Sequence, residues 1–273
     1  MQSGSPDIRK FRRIIQRHYR RHGRDLPWRR TRNPYRIVLS ELMLQQTQVS
    51  RVKKFYPKFL RRFPTARALA GAPLAEVLSA WQGLGYNRRA IFLQKIARRA
   101  EDEHRGAFPS DPEILAGFPG IGTNTAGAIA AFAFNRPAVF IETNIRRAYI
   151  HYFFPRRKKI ADAQLLLLIE KTLDRKNPRA WYYALMDYGA MLGRLRQQNP
   201  NRRSRHYARQ SRFEGSDRQV SAQIVRLFLK NKHLTPAQIA GRMGEPPDRV
   251  QIILSALEKK GFITRSKSVF KIA

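Results

Sequence analysis

The chain has 273 residues and 42% hydrophobic content, enough for one large or two smaller folded domains and too much for a disordered tail. Its 54 Lys and Arg against 19 Asp and Glu give a formal charge of +35, an excess that repels itself without a polyanion and makes nucleic acid the leading partner. The absence of cysteine excludes disulfides, thiol nucleophiles and thiolate-held zinc or iron–sulfur centres, and the longest apolar stretches are far too short to span a bilayer.

Residues 7–22 place Ile8, Phe11, Ile14, Ile15 and Tyr19 at helical spacing among arginines, an amphipathic helix with a basic outer face that Gly23 ends. The first 25 residues hold no apolar core, so no secretory signal is expected, and a soluble intracellular protein, cytoplasmic or nucleoid-associated, is the simplest reading. Pro27 and Pro34 push their predecessors out of the helical region, so 26–35 reads as extended, with Trp28 and Tyr35 as core plugs.

A helix is expected over Arg36 to Val49. Between Ile37 and Leu44 its only polar residues are Ser40 and Glu41. A carboxylate in so apolar a setting loses hydration and has a raised pKa, which suits a general acid near neutral pH. The same position also suits an ordinary first-turn glutamate favoured by the helix dipole. Gln45, Gln46, Thr47 and Gln48 follow as an amide-rich patch, able to bond base edges or simply to be solvated.

Further short helices are expected over Val52 to Phe63, Leu74 to Trp81 and Arg88 to His104. The glycine-rich turn Gln82 to Asn87 carries Tyr86 at its tip, placed to stack on a base or to pack inside. The central stretch is Leu115 to Arg147. Phe118-Pro119-Gly120-Ile121-Gly122 forms a tight turn, and a small-residue helix from about Thr125 to Phe134 begins beside it, a ready seat for a phosphate. The polar turn Glu142-Thr143-Asn144 then opens a helix bearing Arg146 and Arg147. Two more helices, Ile160 to Leu173 and Arg179 to Leu192, complete a body that is all-α by pattern.

Gly193 to Gly215 changes to an arginine-rich composition and reads as an irregular linker or a DNA-backbone strap. Beyond it, helices over Arg218 to Lys230, from Thr235 to Gly244, and over Asp248 to Lys260 precede an alternating hairpin, Phe262 to Ile272. Three helices and a basic hairpin resemble a winged helix-turn-helix, a module that reads DNA or docks protein. The expected fold is mainly α, divided as a body over 1–193, a basic linker over 194–216 and a winged-helix domain over 217–273.

Four strings, LPWR…NPYRIVLSELMLQQTQ over 26–48, GLGY over 83–86, FPGIG over 118–122 and MDYGAM over 186–191, resemble the helix-hairpin-helix–GPD superfamily of DNA glycosylases, in particular the MutY-like adenine glycosylases. The resemblance covers about residues 8–195 and implies two helical lobes with DNA and a flipped base between them. It implies that Glu41 protonates the departing purine and that Glu142 stands where the family has an aspartate, one methylene shorter, that stabilises the sugar cation and orients water. Pro119, Gly120, Ile121, Gly122 and Thr123 match the backbone-gripping hairpin, which in relatives often holds an alkali cation, and Arg146 follows as a DNA contact. Gln45, Gln46 and Gln48 match the loop that wedges into the duplex, and Tyr86 a tyrosine near the lesion pocket. Asn124 lies where bifunctional relatives carry the Schiff-base lysine, so a monofunctional enzyme is expected.

The sequence departs from the family in lacking the four cluster cysteines after Met191, and a winged helix is expected in the place of the domain that reads 8-oxoguanine. No iron–sulfur cluster is expected, an alkali cation at the hairpin is the one ion the resemblance implies, and the protein is expected to be a monomer acting on DNA with a mispaired or damaged base. The implied activity is removal of adenine or another purine. The alternatives are excision of a deaminated base (hypoxanthine, uracil or mismatched thymine) and a non-catalytic DNA clamp.

Overall fold

The computed structural model describes residues 7–195, 199–208, 212–231, 233–266 and 268–273. In chain order the described residues form α1 (Ile8–His22), α2 (Pro34–Leu44), α3 (Val49–Arg62), α4 (Ala66–Ala70), α5 (Leu74–Trp81), α6 (Arg88–His104), α7 (Pro112–Ala116), α8 (Thr123–Phe134), α9 (Thr143–Phe153), α10 (Asp162–Thr172) and α11 (Pro178–Arg194). Then come α12 (Asp217–Lys230), α13 (Pro236–Met243), α14 (Pro247–Lys259) and an antiparallel pair, β1 (Ile263–Ser266) and β2 (Val269–Ile272), with Ile263 opposite Ile272 and Ser266 opposite Val269. No helix among the described residues is long and apolar enough to cross a membrane.

The helix ends follow local chemistry. Asp7 accepts the Lys10 N–H at 2.8 Å to start α1. Asn33 accepts the Arg36 N–H at 3.1 Å before Pro34 opens α2. Thr235 and Gln238 form a reciprocal capping box at α13, and Gly244 closes that helix in the left-handed region at φ +64°.

Two expected elements differ. Residues 27–30 are a short 3-10 helix, with Pro27 supplying the fixed φ of its first position. The helix expected over 36–49 stops at Leu44, and Gln46 takes a left-handed φ of +53° before α3 begins. Trp28 and Tyr35 are buried, as expected.

The chain divides into two compact units that do not follow sequence order. The first comprises Met1–Ile37 and Phe108–Arg209. Its centre is α8, buried along Ala126 to Ala133, where alanines and Gly127 let neighbours approach on every side; Phe140 lies against Gly127. Helices α9 and α11 pack closely because Gly189 has no side chain: a Cβ there would stand 2.0 Å from the Asn144 carbonyl oxygen. Phe11 of α1 plugs this layer among Tyr149, Phe153 and Trp181.

The second unit comprises Val38–Ala107 and Gln210–Ala273. Phe59, Phe63 and Trp81 form an aromatic cluster between α3 and α5, and Gln94 of α6 donates to the Leu69 and Ala72 carbonyls at 3.3 and 2.6 Å, closing the end of α4. The C-terminal helices share an apolar centre of Val220, Ile224, Phe228, Ile239, Leu254 and Phe270. Leu234 joins the hairpin by exchanging backbone hydrogen bonds with Phe270.

Candidate functional site

The hairpin belongs to the first unit. Phe118 and Ile121 are buried and anchor the turn from below, the Ile121 N–H returns to the Phe118 carbonyl at 3.1 Å, and Gly120 adopts φ +76°. With its side chain buried and its N–H engaged, Ile121 offers an outside ligand only its backbone carbonyl. Gly120, Gly122, Thr123 and Asn124 are exposed, Pro119 is partly so, and Gly122 caps α8 with open space where a Cβ would be. First-turn amides lack acceptors within their own helix, so this end of α8 presents N–H groups and the positive end of a dipole to solvent.

Asn124 has a structural task. Its side-chain oxygen accepts the Ile141 N–H at 3.0 Å, tying the start of α8 to the residue just before Glu142. Glu142 is itself the N-cap of α9. One carboxylate oxygen accepts the N–H groups of Asn144 and Ile145 at 2.8 and 2.9 Å, and the other accepts the Asn144 side-chain amide at 3.2 Å. Burial pushes the carboxyl pKa up, while those hydrogen bonds and the Arg147 charge pull it back; the net shift is upward. Three of roughly four acceptor directions are filled, which leaves one for a water or a sugar.

Three further side chains, Arg147, Asn201 and Arg203, hold α9 and its cap in place. Arg147 donates to the Asn144 side-chain oxygen at 2.9 Å, to the Gly189 carbonyl at 2.8 Å and to Asn199 at 3.1 Å. Asn201 donates to the Thr143 carbonyl at 3.0 Å, and Arg203 reaches the Phe154 carbonyl at the far end of α9 at 2.7 Å. The described part of the basic segment is thus folded onto α9 through polar caps, with Ile160 and Ser204 bridged, and is not the irregular linker that is one of its two expected readings. Residues 196–198 and 209–211 of the segment lie outside the described residues. Arg146 is engaged as well: its fork closes on Asp162 at 3.0 and 2.6 Å.

The MDYGAM string also works from inside this unit. Asp187 is 3% exposed and accepts the Arg24 N–H at 2.8 Å, the Arg24 side chain and a two-pronged fork from Arg29 at 2.8 Å. Burial alone would raise its pKa; the Arg29 fork, with Arg24, outweighs that and holds it below the usual carboxylate value.

Glu41 and the glutamine patch belong to the second unit. Glu41 is partly buried on the last turns of α2, beside fully buried Ser40, Leu42 and Met43. Gln45 is partly buried, whereas Gln46 and Gln48 are exposed on the turn. Tyr86 is 38% exposed at φ +49°, and the Arg218 guanidinium donates to its hydroxyl at 3.3 Å.

One residue joins these features and was missed in the sequence. Arg89 of α6 is 6% exposed, and its terminal nitrogens donate to the carbonyls of Leu42, Met43 and Gln45 at 2.7, 2.8 and 2.6 Å. They also reach the Thr47 hydroxyl at 3.0 Å and the Gly85 carbonyl at 2.9 Å. Burial lowers its pKa to about 10, so it stays charged at neutral pH. Arg89 ends α2, and it locks together the glutamine turn and the tyrosine turn. The available signal was an arginine four residues before Leu93, on the buried side of α6.

Among the described residues no three His, Asp or Glu side chains gather as metal ligands, and without cysteine the chain has no thiolates to hold an iron–sulfur cluster.

Residues 39–171 match the family model described as HhH-GPD superfamily base excision DNA repair protein. An adenine DNA glycosylase of Buchnera aphidicola subsp. Baizongia pistaciae is 37% identical over 187 residues, 67% of this chain and 52% of its own length. That of Mycobacterium tuberculosis (strain H37Rv) is 45% identical over 130 residues, 47% of this chain and 43% of its own. The human adenine DNA glycosylase is 35% identical over 198 residues, covering 68% of this chain and 36% of that protein. The chain spans about half the length, or less, of these relatives.

Among solved structures, a thermostable thymine-DNA glycosylase aligns with a TM-score of 0.60 and 26% identity over 69% of this chain and 90% of the other. An endonuclease III trapped covalently on DNA shares the fold, with a TM-score of 0.56 and 19% identity over 66% and 83% of the two chains. With its hairpin, its capped acidic turn and these matches, residues 39–171 are a HhH-GPD domain, and the chain is a homologue of the adenine DNA glycosylases.

Proposed function

We propose that the protein is a monofunctional DNA N-glycosylase that hydrolyses the N-glycosidic bond of a mispaired or damaged purine, adenine foremost, in base excision repair. The observation that carries this reading is the Glu142 carboxylate, held by the Asn144 and Ile145 amides with one acceptor direction left over, in the same unit as the exposed glycine hairpin.

In this mechanism Glu41 gives its proton to the base as the C1′–N bond breaks, so the base leaves neutral. The deoxyribose is left as an oxocarbenium-like cation, which the ionised Glu142 stabilises. Water adds to C1′ and passes a proton to Glu142, giving free base and an abasic site. Asn124 supplies no amine, so strand cleavage does not follow. The hairpin amides of Gly120, Gly122 and Thr123 hold backbone phosphates, and the hairpin Phe118 to Gly122 would be the seat of an alkali cation, which would add positive charge beside those phosphates. Gln46, Gln48 and Tyr86, exposed on turns, enter the duplex beside the extruded base. Residues 217–273 fit a winged helix-turn-helix, three helices followed by the β1–β2 pair, acting as an accessory DNA-binding module.

The test is a panel of duplexes carrying adenine opposite 8-oxoguanine, adenine opposite guanine, hypoxanthine, uracil and thymine opposite guanine, scored for strand breaks with and without alkali. Release of adenine, visible only after alkali, supports the proposal. The likeness to a thymine-DNA glycosylase favours one second reading, action on a deaminated or mismatched pyrimidine, and release from the uracil or thymine duplexes alone would establish it.

A further inference from the structure

The second unit contains a groove of about 820 Å³ that the proposed chemistry does not use. One wall is the end of α5 and the turn after it, with Ser79, Gln82 and Gly83. The other is α12 and α13, with Gln223, Arg226, Lys230 and Arg242 over a partly apolar floor that includes Leu227 and Met243. Arg226, Lys230 and Arg242 are exposed, and no carboxylate lines the groove. A solvated groove carrying cations, amides and small apolar patches matches a sugar–phosphate backbone, whose phosphates take the charges while its deoxyribose faces lie on the floor.

A separate contact sets its direction. Gly83 lines the groove and lies three residues before Tyr86, and Arg218 at the start of α12 donates to the Tyr86 hydroxyl. A strand wedged by Tyr86 therefore meets the groove next. We propose that this groove binds the backbone of duplex DNA flanking the lesion, so that the C-terminal helices grip phosphates beside the Tyr86 turn. The inference rests on the glycosylase reading for the place of Tyr86, and it concerns binding rather than chemistry.

The experiment compares the full chain with R226Q/K230Q/R242Q and with the charge-keeping R226K/R242K. Affinity for a duplex carrying adenine opposite guanine is measured across a salt series, and single-turnover base release is measured at saturating enzyme. Three lost phosphate contacts lower the slope of log affinity against log salt by about 2.7. The expected result is that drop in the glutamine variant, a wild-type slope in the lysine variant, and an unchanged rate of release in both. Hydroxyl-radical footprints should lose protection at phosphates on one side of the lesion only. A glutamine variant with the wild-type slope and footprint overturns the proposal. If the wild type releases no base while the slope still falls, the groove stands and the glycosylase reading fails; the two outcomes are separable.

Discussion

The Glu142 carboxylate and Asn144 hold each other twice, once through the Asn144 backbone N–H at 2.8 Å and once through its side-chain amide at 3.2 Å. The carboxylate folds back over the first turn of α9, where it also accepts the Ile145 N–H. Glu142 thus combines a cap with the charge proposed to face the sugar. Glu142→Gln keeps one accepting oxygen and loses the charge, so base release should fall by about 10²- to 10³-fold with little change in stability. Glu142→Ala should lose the same activity and a further ~1 kcal/mol of stability. Single-turnover release and urea unfolding of both variants check the pair.

The pH dependence follows from the same residue. Burial raises the Glu142 pKa in the folded protein, and the mechanism needs the ionised form, so release should weaken as pH falls through that raised value. Between the unfolded and folded pKa values the folded state binds more protons, and stability therefore declines as pH rises across that window. Thermal melts from pH 4 to 8 should show this decline in the wild type and a smaller one in Glu142→Gln. Identical pH profiles for the two proteins would contradict the assignment.

Arg89 is a positioning residue for the other unit. Arg89→Gln leaves the Leu42, Met43 and Gln45 carbonyls short of donors, a cost of ~2–4 kcal/mol for a buried network. Arg89→Lys keeps the charge but cannot span the glutamine and tyrosine turns together, so it should recover stability only in part. Fluorescence of 2-aminopurine beside the target base reads the local effect: its rise on binding should be smaller in both variants.

Gly189→Ala is expected to be severe for its size. The added methyl meets the Asn144 carbonyl at 2.0 Å, so α9 and α11 must separate, at a cost of ~2–4 kcal/mol. Arg147 also donates to the Gly189 carbonyl, so the shift reaches the Asn144–Glu142 pair. A lowered denaturation midpoint with reduced release is the expected outcome. A variant of wild-type stability would show that this close approach is not a constraint.

Much of the architecture was legible in the chain. Phe11 and Ile15 set the buried face of α1, Thr235 with Gln238 and Gly244 bracket α13, and the shift from VFI to Glu142-Thr143-Asn144 marks the start of α9. The end of α2 was not legible, because its apolar spacing runs on past Leu44 and the stop depends on Arg89, far along the chain. The tasks of Asn124 and Asp187 were hidden for the same reason: their partners, Ile141 and the Arg24–Arg29 pair, meet them only in the folded unit. Arg146 is a DNA-contact candidate by sequence, and its fork is closed on Asp162. Composition marks a surface as basic without showing which arginines pair inside the fold.

The most direct test is single-turnover release from a duplex with adenine opposite 8-oxoguanine, comparing the wild type with Glu41→Gln at saturating enzyme. The expected result is alkali-dependent cleavage at the adenine by the wild type, a loss of about 10²- to 10⁴-fold in Glu41→Gln, and equal DNA affinity for the two. Equal release by both proteins, or tight binding with no release by either, would contradict it.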